Sequence, residues 1–302
     1  MSRASEQSRL WLPQHWPAWL GLGLFRLADE LPWPAKRWIA GGLGWFAFQV
    51  LRIRRRVVFT NLRLCFPEKS PPEIHALARA HYGALALGLF EVCAAWWGKT
   101  ADLPPHRIVG LPILTAALER GHGAILLTAH FSTLEICGRY MAEAIPVGCL
   151  YRDPNNPVIA HLMRGQRERH MSVAVHFDDL RGLVRALRAG HAIWYAPDQG
   201  KRSKSSEILP FFGVPAITNT ATGKIAEMTG APVVPYFARR EADHSYTLRI
   251  LPALEGFPSA DAAADAVRIN RLIEEHVRLA PEQYFWVHKR FKARGPGYPE
   301  VY

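Results

Sequence analysis

The stretch "AILLTAHFSTLEICGRY" (residues 124–140) indicates the fold class most directly. Polar and apolar residues do not alternate in its opening run "AILLTA", which is typical of a strand covered on both faces of its sheet. A helical pattern follows over residues 134–144. His130 stands between the predicted strand and the predicted helix, and Glu135 lies at the start of the helix. The stretch therefore predicts a strand, a turn that carries a histidine, and a helix.

The same order of strand and helix continues along the chain. Strands are predicted at residues 124–129, 147–151, 173–177, 192–196 and 232–237. Helices are predicted at residues 111–119, 134–144, 158–170, 180–189 and 220–228. This alternation predicts an α/β fold with a largely parallel sheet flanked by helices. Upstream, a capping box formed by Ser70 and Glu73 predicts one long helix that ends at Gly98.

Polar residues follow three of the predicted strands. They are His130, the segment "YRDPNNP" (residues 151–157) and the segment "PDQGKRSKS" (residues 197–205). Ligands of α/β proteins usually bind at the carboxyl ends of the parallel strands. The sequence therefore predicts a functional site that these three segments share.

The composition excludes a disordered chain and favours acidic partners. The 302 residues are 49% hydrophobic and 21% charged, and the formal net charge is +11. Such a charge favours a phosphorylated substrate, an acidic carrier protein, an anionic membrane surface or nucleic acid. Nucleic acid is disfavoured, because the aromatic residues cluster near the N-terminus and do not interleave with lysines. The four cysteines lack C-x-x-C spacing, which predicts reduced thiols and no metal site.

Two apolar patches rich in tryptophan, residues 16–25 and 38–51, precede the basic run "RIRRR" at residues 52–56. Each is shorter than the ~18 to 20 residues that a membrane span requires. Apolar aromatic segments beside a basic cluster favour helices that lie in the cytoplasmic face of a bilayer. A buried helical hairpin of a soluble core is the alternative. We therefore expect a membrane-associated helical segment over residues 1–56 and an α/β domain over residues 57–302.

His130 and Glu135 have two interpretations. In the first, Ser132 and Glu135 form a capping box, and His130 is an ordinary residue at a strand end. In the second, Glu135 orients His130 as a general base that deprotonates a hydroxyl. No G-x-S-x-G motif is present, and no cysteine lies in an activating setting, so a pair of this kind favours direct attack by a substrate hydroxyl.

"HFSTLE" resembles the H-x4-D/E motif of glycerolipid-type acyltransferases, which is weak alone. Five further motifs accompany it: "NLRLCFPEKS" (61–70), "YRDPNNP", "YAPDQG" (195–200), "PFFGVPAITNTATGKIA" (210–226) and "PEQYFWVHKRFK" (281–292). Together these motifs resemble the lipid A biosynthesis acyltransferases, the late lauroyl and myristoyl transferases of Gram-negative bacteria. The joint match is specific and covers nearly the whole chain.

The resemblance implies an enzyme on the cytoplasmic face of the inner membrane. Its acyl donor would be carried on the phosphopantetheine of acyl carrier protein, with no other cofactor. Its acceptor would be a hydroxyl on an acyl chain of a phosphorylated, Kdo-bearing lipid A precursor. His130 would be the general base and Glu135 its orienting acid, without a covalent enzyme intermediate. These motifs favour the catalytic interpretation of the pair over the capping box.

Under the same resemblance, basic residues acquire roles in binding. Arg152 and Arg164 are expected to bind phosphate or the developing oxyanion, with a solvated helix face as the alternative. Asp198 is expected to orient an arginine or shape the site, or else to form a turn. Lys201 and Arg202 are expected to bind lipid phosphate or the carrier, with a solvated loop as the alternative.

Apolar and C-terminal motifs have simpler interpretations. Phe211 is expected to line the acyl channel, and core packing is the alternative. Phe212 is expected in the core. "HKRFK" (288–292) and Arg167 are expected to provide positive surface.

Other functions remain open at this point. The acceptor can be another glycolipid or an aminolipid. A membrane-bound esterase would use His130 to activate water, and a basic binding module would not need His130 at all.

Overall fold

The computed structural model describes residues 10–200, 202–295 and 297–302. Nine strands are present in this part of the chain. They are β1 (His106–Val109), β2 (Ala124–Leu127), β3 (Val147–Tyr151), β4 (Ala174–His176), β5 (Ala192–Tyr195), β6 (Ser206–Phe211), β7 (Val214–Asn219), β8 (Val233–Arg240) and β9 (Tyr246–Ile250). Seven of them form one sheet with the order β1-β9-β8-β2-β5-β3-β4. Only the pair β8–β9 is antiparallel in it, so the prediction of a largely parallel sheet is confirmed.

Helices flank this sheet on both faces. They are α1 (Trp16–Asp29), α2 (Trp33–Phe46), α3 (Arg55–Cys65), α4 (Pro71–Trp97), α5 (Leu111–Leu118), α6 (Leu134–Ala144), α7 (Pro157–His170), α8 (Leu180–Arg188), α9 (Ala221–Thr229) and α10 (Ala262–Leu279). The burial of β2 on both faces explains why polar and apolar residues do not alternate in its sequence. Leu127 packs into the core on one face, and Leu126 packs into the core on the other.

The long helix α4 begins and ends as predicted. The backbone N–H of Ser70 donates to Glu73 at 2.8 Å, which forms the capping box, and Gly98 caps the other end. The helix α2 packs closely along α4, because a Cβ on Gly44 would lie 2.8 Å from the Cα of Gly83. This contact attaches the N-terminal helices to the rest of the protein.

The helix α1 contributes no buried residue, so the interpretation as a buried helical hairpin does not describe it. Large apolar side chains are exposed on both N-terminal helices: Trp16, Leu20, Leu24, Leu27, Trp38 and Trp45. Across the described ranges, none of the helices combines the length and the apolar character that crossing a bilayer requires. The boundary at residues 56 and 57 stays a prediction.

The segment that follows α10 runs beside the carboxyl end of β2. Phe131 and Tyr284 form an isolated antiparallel bridge, and the N–H of Phe285 donates to the carbonyl of His130 at 3.0 Å. Residues far apart in the chain therefore meet around His130.

Candidate active site

The sheet topology brings His130 and Asp198 together. The strands β2 and β5 are parallel neighbours, and Leu127 pairs with Tyr195 in their register. His130 follows Leu127 by three residues, and Asp198 follows Tyr195 by three residues. The two side chains therefore leave the same edge of the sheet at the same level, where ligands of α/β proteins bind.

Asp198 holds His130 through two hydrogen bonds. The Nδ1 atom of His130 lies 2.6 Å from Oδ1 of Asp198. The backbone N–H of His130 donates to Oδ2 at 3.1 Å, and the hydroxyl of Tyr284 donates to the same oxygen at 2.9 Å. The Asp198 side chain is buried, whereas the His130 side chain is 31% exposed. This arrangement fixes the ring and leaves its Nε2 side accessible.

The charges of the pair stabilise each other. Burial raises the pKa of Asp198, but the His130 charge and the hydrogen bonds from His130 and Tyr284 outweigh it and lower the pKa to about 2. Burial lowers the pKa of His130, but the Asp198 charge and hydrogen bond raise it above its usual 6.5. Asp198 is therefore ionised at neutral pH, and His130 has the enhanced basicity that a general base needs.

Glu135 does not occupy the predicted position. Its carboxylate accepts hydrogen bonds from Arg167 at 2.6 Å and from the indole N–H of Trp96 at 3.2 Å. The capping box with Ser132 is also absent, since α6 begins at Leu134 without a side-chain cap. The predicted contact between Glu135 and His130 is therefore corrected, because the carboxylate on Nδ1 is that of Asp198.

Arg167 is not the solvated residue that the sequence indicated. Its side chain is 13% exposed and pairs with Glu135. Burial lowers its pKa, but the charge of Glu135, the hydrogen bond to it and the neighbouring Cys149 and Tyr151 together raise the pKa above the usual value. The pair connects α6 to α7, and Arg167 lines the groove beside His130.

Two grooves open beside His130. The inner groove has a volume of about 220 Å³, and its floor includes Leu134, Cys149 and Trp194. The outer groove has a volume of about 370 Å³, and its lining includes Gln199 and Arg202. The two grooves share these lining residues: His130, Leu150, Tyr151, Arg152, Tyr195 and Ala196. A partly exposed histidine thus lies where the two grooves meet, and the inner groove combines apolar side chains with Arg152 and Arg167.

The predicted basic residues lie at different places. Arg152 is exposed and lines both grooves, as expected for a ligand of an anion. Arg164 lines neither groove; it pairs with Asp153 at 2.9 Å and its side chain is 47% exposed. Arg202 lines the outer groove. Lys201 lies outside the described residues.

Comparison with known proteins identifies the family of the chain. Residues 3–293 match the family described as bacterial lipid A biosynthesis acyltransferase. The chain belongs to this family. It is similar to the lipid A biosynthesis lauroyltransferase of Escherichia coli (strain K12), with 35% identity over 96% of both chains. It is also similar to the palmitoleoyltransferase of that strain, with 34% identity over 96% of this chain and 95% of the relative.

A more distant relative is the lipid A biosynthesis myristoyltransferase of the same strain. It is 27% identical over 96% of this chain and 91% of the relative. The resemblance of the motifs to this family is thus confirmed, and the protein is an acyltransferase.

Phe211 of this lipid A acyltransferase belongs to the core. The side chain is 0% exposed and packs against Phe212, Tyr284 and Phe291. It lines neither groove, so the prediction of a channel wall is corrected. Phe211 is the last residue of β6, directly before the turn of the β6–β7 hairpin, and this position places its side chain in the core. The apolar floor comes instead from the inner-groove residues, chiefly Leu134 and Trp194.

Two residues of the motif at residues 281–292 have positions that the sequence did not predict. Tyr284 holds Asp198, but it lies in "PEQYFWVHKRFK", where nothing local distinguishes it from a core tyrosine. Arg290 of the same motif is buried, with only 2% exposure. It donates to the carbonyl of Ile217 at 2.6 Å and to Thr218 at 3.2 Å. The expectation that all of "HKRFK" provides positive surface is therefore corrected for Arg290.

Proposed function

We propose that this acyltransferase moves a fatty acyl chain from acyl carrier protein to a phosphorylated, Kdo-bearing lipid A precursor. The acceptor atom is a hydroxyl on an acyl chain that the precursor already carries. The observation that carries the proposal is the position of the His130–Asp198 pair between the two grooves. Family membership supports acyl transfer onto lipid A, and the positive charge of the protein suits an acidic carrier and a phosphorylated acceptor.

In the proposed mechanism, His130 is the general base. The ionised Asp198 accepts a hydrogen bond from the N–H at Nδ1, which keeps the proton there and the lone pair on Nε2. Nε2 takes the proton of the acceptor hydroxyl while the oxygen forms a bond to the thioester carbonyl carbon. The tetrahedral intermediate then breaks its carbon–sulfur bond. The phosphopantetheine thiolate leaves and receives the proton from His130, so one ester and one thiol replace one alcohol and one thioester.

Direct attack, without a covalent enzyme intermediate, is supported by the state of the nearest thiol. Cys149 lines the inner groove beside His130. Burial raises the pKa of its thiol to about 11. Because the thiolate is the nucleophilic form, Cys149 is inert at neutral pH. The substrate hydroxyl is the nucleophile that the site is suited to activate.

We assign different roles to the two acidic residues. Asp198 is the positioning residue that orients His130. Glu135 is a positioning residue of another kind, because it holds Arg167, which lines the inner groove. Arg152 lines both grooves, and its guanidinium suits the developing oxyanion or a substrate phosphate. The apolar floor of the inner groove suits the donor acyl chain.

The proposed location is the cytoplasmic face of the inner membrane. The exposed apolar residues of α1 and α2 and the arginines of residues 52–56 support binding to an anionic lipid surface. There the enzyme would meet its lipid acceptor in the membrane and its carrier in the cytoplasm.

A transfer assay tests this function. Purified enzyme in detergent is given lauroyl- or myristoyl-carrier protein and tetra-acylated, Kdo-bearing precursor, and product mass is measured. We expect a gain of one acyl chain, lost in His130→Ala. Free fatty acid released at the same rate without acceptor would indicate an esterase instead. Full activity of His130→Ala would contradict the general base.

A further inference from the structure

A third cavity lies apart from the grooves at His130. It has a volume of about 630 Å³ and lies between the β6–β7 hairpin and the C-terminal segment. We call it the tail cavity. Its apolar walls include Ile208 and Tyr298, and its cations are Arg202, Lys292 and Arg294. Glu300 is the one carboxylate among its described lining residues, so the lining carries net positive charge.

The two arginines of the lining have different surroundings. The guanidinium of Arg294 lies over the ring of Tyr298, 4.9 Å from its centroid. The Nε–H of Arg294 is buried and has no hydrogen-bond partner among the described residues. Arg202 is exposed, and no carboxylate in the described ranges forms an ion pair with it. An anionic ligand in the tail cavity would neutralise the positive charge of these side chains.

The tail cavity adjoins the outer groove. Arg202 and Ser203 line both spaces, and His130 lies in the outer groove. A substrate that reacts at His130 can therefore extend past Arg202 into the tail cavity. We propose that the tail cavity binds a phosphate group of a substrate during acyl transfer. This inference rests on the proposed function, which supplies two phosphate-bearing substrates.

The donors favour phosphate over other anions. A guanidinium presents N–H groups in a planar fork that matches phosphate oxygens, and arginine stacked on an aromatic ring is already oriented. The hydroxyl of Ser203, 2.8 Å from that of Ser206, adds a neutral donor or acceptor on the same wall. The phosphate can be the phosphomonoester on the glucosamine disaccharide of the acceptor or the phosphodiester of the phosphopantetheine arm of the donor.

The test compares one variant with the wild type on two pairs of substrates, each pair differing only in its phosphate. Arg294→Gln removes one of the three positive charges of the tail cavity and changes no residue that lines either groove at His130. The control is Arg120→Gln, the same change at an exposed residue near the start of β2, at the opposite edge of the sheet. The acceptor pair is the precursor with and without its sugar phosphates. The donor pair is lauroyl-phosphopantetheine and lauroyl-pantetheine.

We expect Arg294→Gln to raise KM about tenfold for the phosphorylated member of one pair only. KM for the dephosphorylated member should not change, and Arg120→Gln should change neither. An effect confined to the acceptor pair assigns the sugar phosphate, and one confined to the donor pair assigns the phosphopantetheine phosphate. Equal effects on both members of each pair, or no effect, would overturn the proposal.

A binding readout separates this inference from the proposed function. The Kd of the same four compounds is measured by calorimetry for wild type and Arg294→Gln. If the wild-type enzyme transfers no acyl chain, the proposed function fails. The ratio of Kd values within each pair then still decides whether the tail cavity prefers the phosphorylated compound.

Discussion

Asp198 controls both the orientation and the basicity of His130, so its replacement tests the general base directly. In Asp198→Asn, the amide offers an N–H to Nδ1, which favours the tautomer protonated on Nε2. We expect kcat/KM to fall about a thousandfold. Because the pKa of His130 is raised above 6.5 by Asp198, the acid limb of the wild-type pH profile should lie above pH 6.5. The remaining activity of the variant should have its acid limb at lower pH.

The graded control for this prediction is Tyr284→Phe. It removes one hydrogen bond to Asp198 but leaves the charge beside His130. We expect kcat/KM to fall less than about tenfold, with the acid limb close to that of the wild type. An Asp198→Asn enzyme with the activity and pH profile of the wild type would contradict the role of Asp198.

Glu135→Gln should lower the stability of the protein with little effect on the basicity of His130. The change leaves the charge of Arg167, whose side chain is 13% exposed, without its carboxylate partner. We expect the free energy of unfolding to fall by about 3 kcal/mol, measured by denaturant titration. The activity should fall, and the acid limb of the pH profile should move far less than in Asp198→Asn, because the effect of the Arg167 charge on the pKa of His130 is smaller than that of Asp198. A shift of that limb like the one in Asp198→Asn would instead return Glu135 to the role that the sequence predicted.

The mistaken partner of His130 has a physical origin. From spacing along the chain, only near neighbours such as Ser132 and Glu135 can be proposed as partners of His130. Asp198 is distant in sequence and reaches His130 because β5, not β3, lies next to β2. Strand order depends on how helices cross the sheet, and the periodicity of one strand carries no information about its neighbour. The sequence therefore predicted the correct edge of the sheet but not the correct acid.

Elements with a clear hydrophobic pattern were predicted with nearly correct bounds, whereas the β6–β7 hairpin was not predicted. The helix α6 and the strand β3 have the predicted bounds. The hairpin turns at Phe212 and Gly213, whose φ values are 52° and 73°. A two-residue turn of this kind is usually recognised by Asn-Gly or Asp-Gly, and phenylalanine at the first position hides it. The same turn directs Phe211 into the core and not into a channel.

The contact between α2 and α4 predicts that alanine substitutions at two glycines of α2 have opposite effects on the free energy of unfolding. In Gly44→Ala, the new Cβ would lie 2.8 Å from the Cα of Gly83 and from the carbonyl oxygen of Tyr82. Backbone cannot yield as a flexible side chain does, so we expect a loss of about 1–3 kcal/mol in the free energy of unfolding. Thermal unfolding in detergent measures the change.

The matched control is Gly41→Ala in the same helix. No atom lies within 4 Å of a Cβ at this position, so the helix should gain up to about 1 kcal/mol from the better helix former. Equal effects of the two changes would mean that α2 does not pack on α4 through Gly44.

At the scale of the whole molecule, exposed positive charge and exposed apolar side chains occur together in the N-terminal segment. Exposed arginines at positions 52, 54 and 56 follow the exposed apolar residues of α2. The net charge of +11 adds a long-range attraction to anionic lipid. Composition alone predicted an acidic partner, but the exposed positions of these side chains required the fold, since periodicity fits a buried hairpin as well.

Membrane binding should therefore depend on particular exposed residues. Trp38 is 82% exposed on α2, and Leu279 is 62% exposed at the end of α10. We expect Trp38→Asp to weaken binding to vesicles of phosphatidylethanolamine and phosphatidylglycerol by about tenfold or more, because it removes a large apolar ring from the interface. Leu279→Asp introduces the same charge elsewhere and should have little effect. Co-sedimentation at low and high salt measures both, and salt should weaken wild-type binding by screening the arginines. Equal loss in the two variants would mean that their added negative charge, and not the face of α2, determines the affinity.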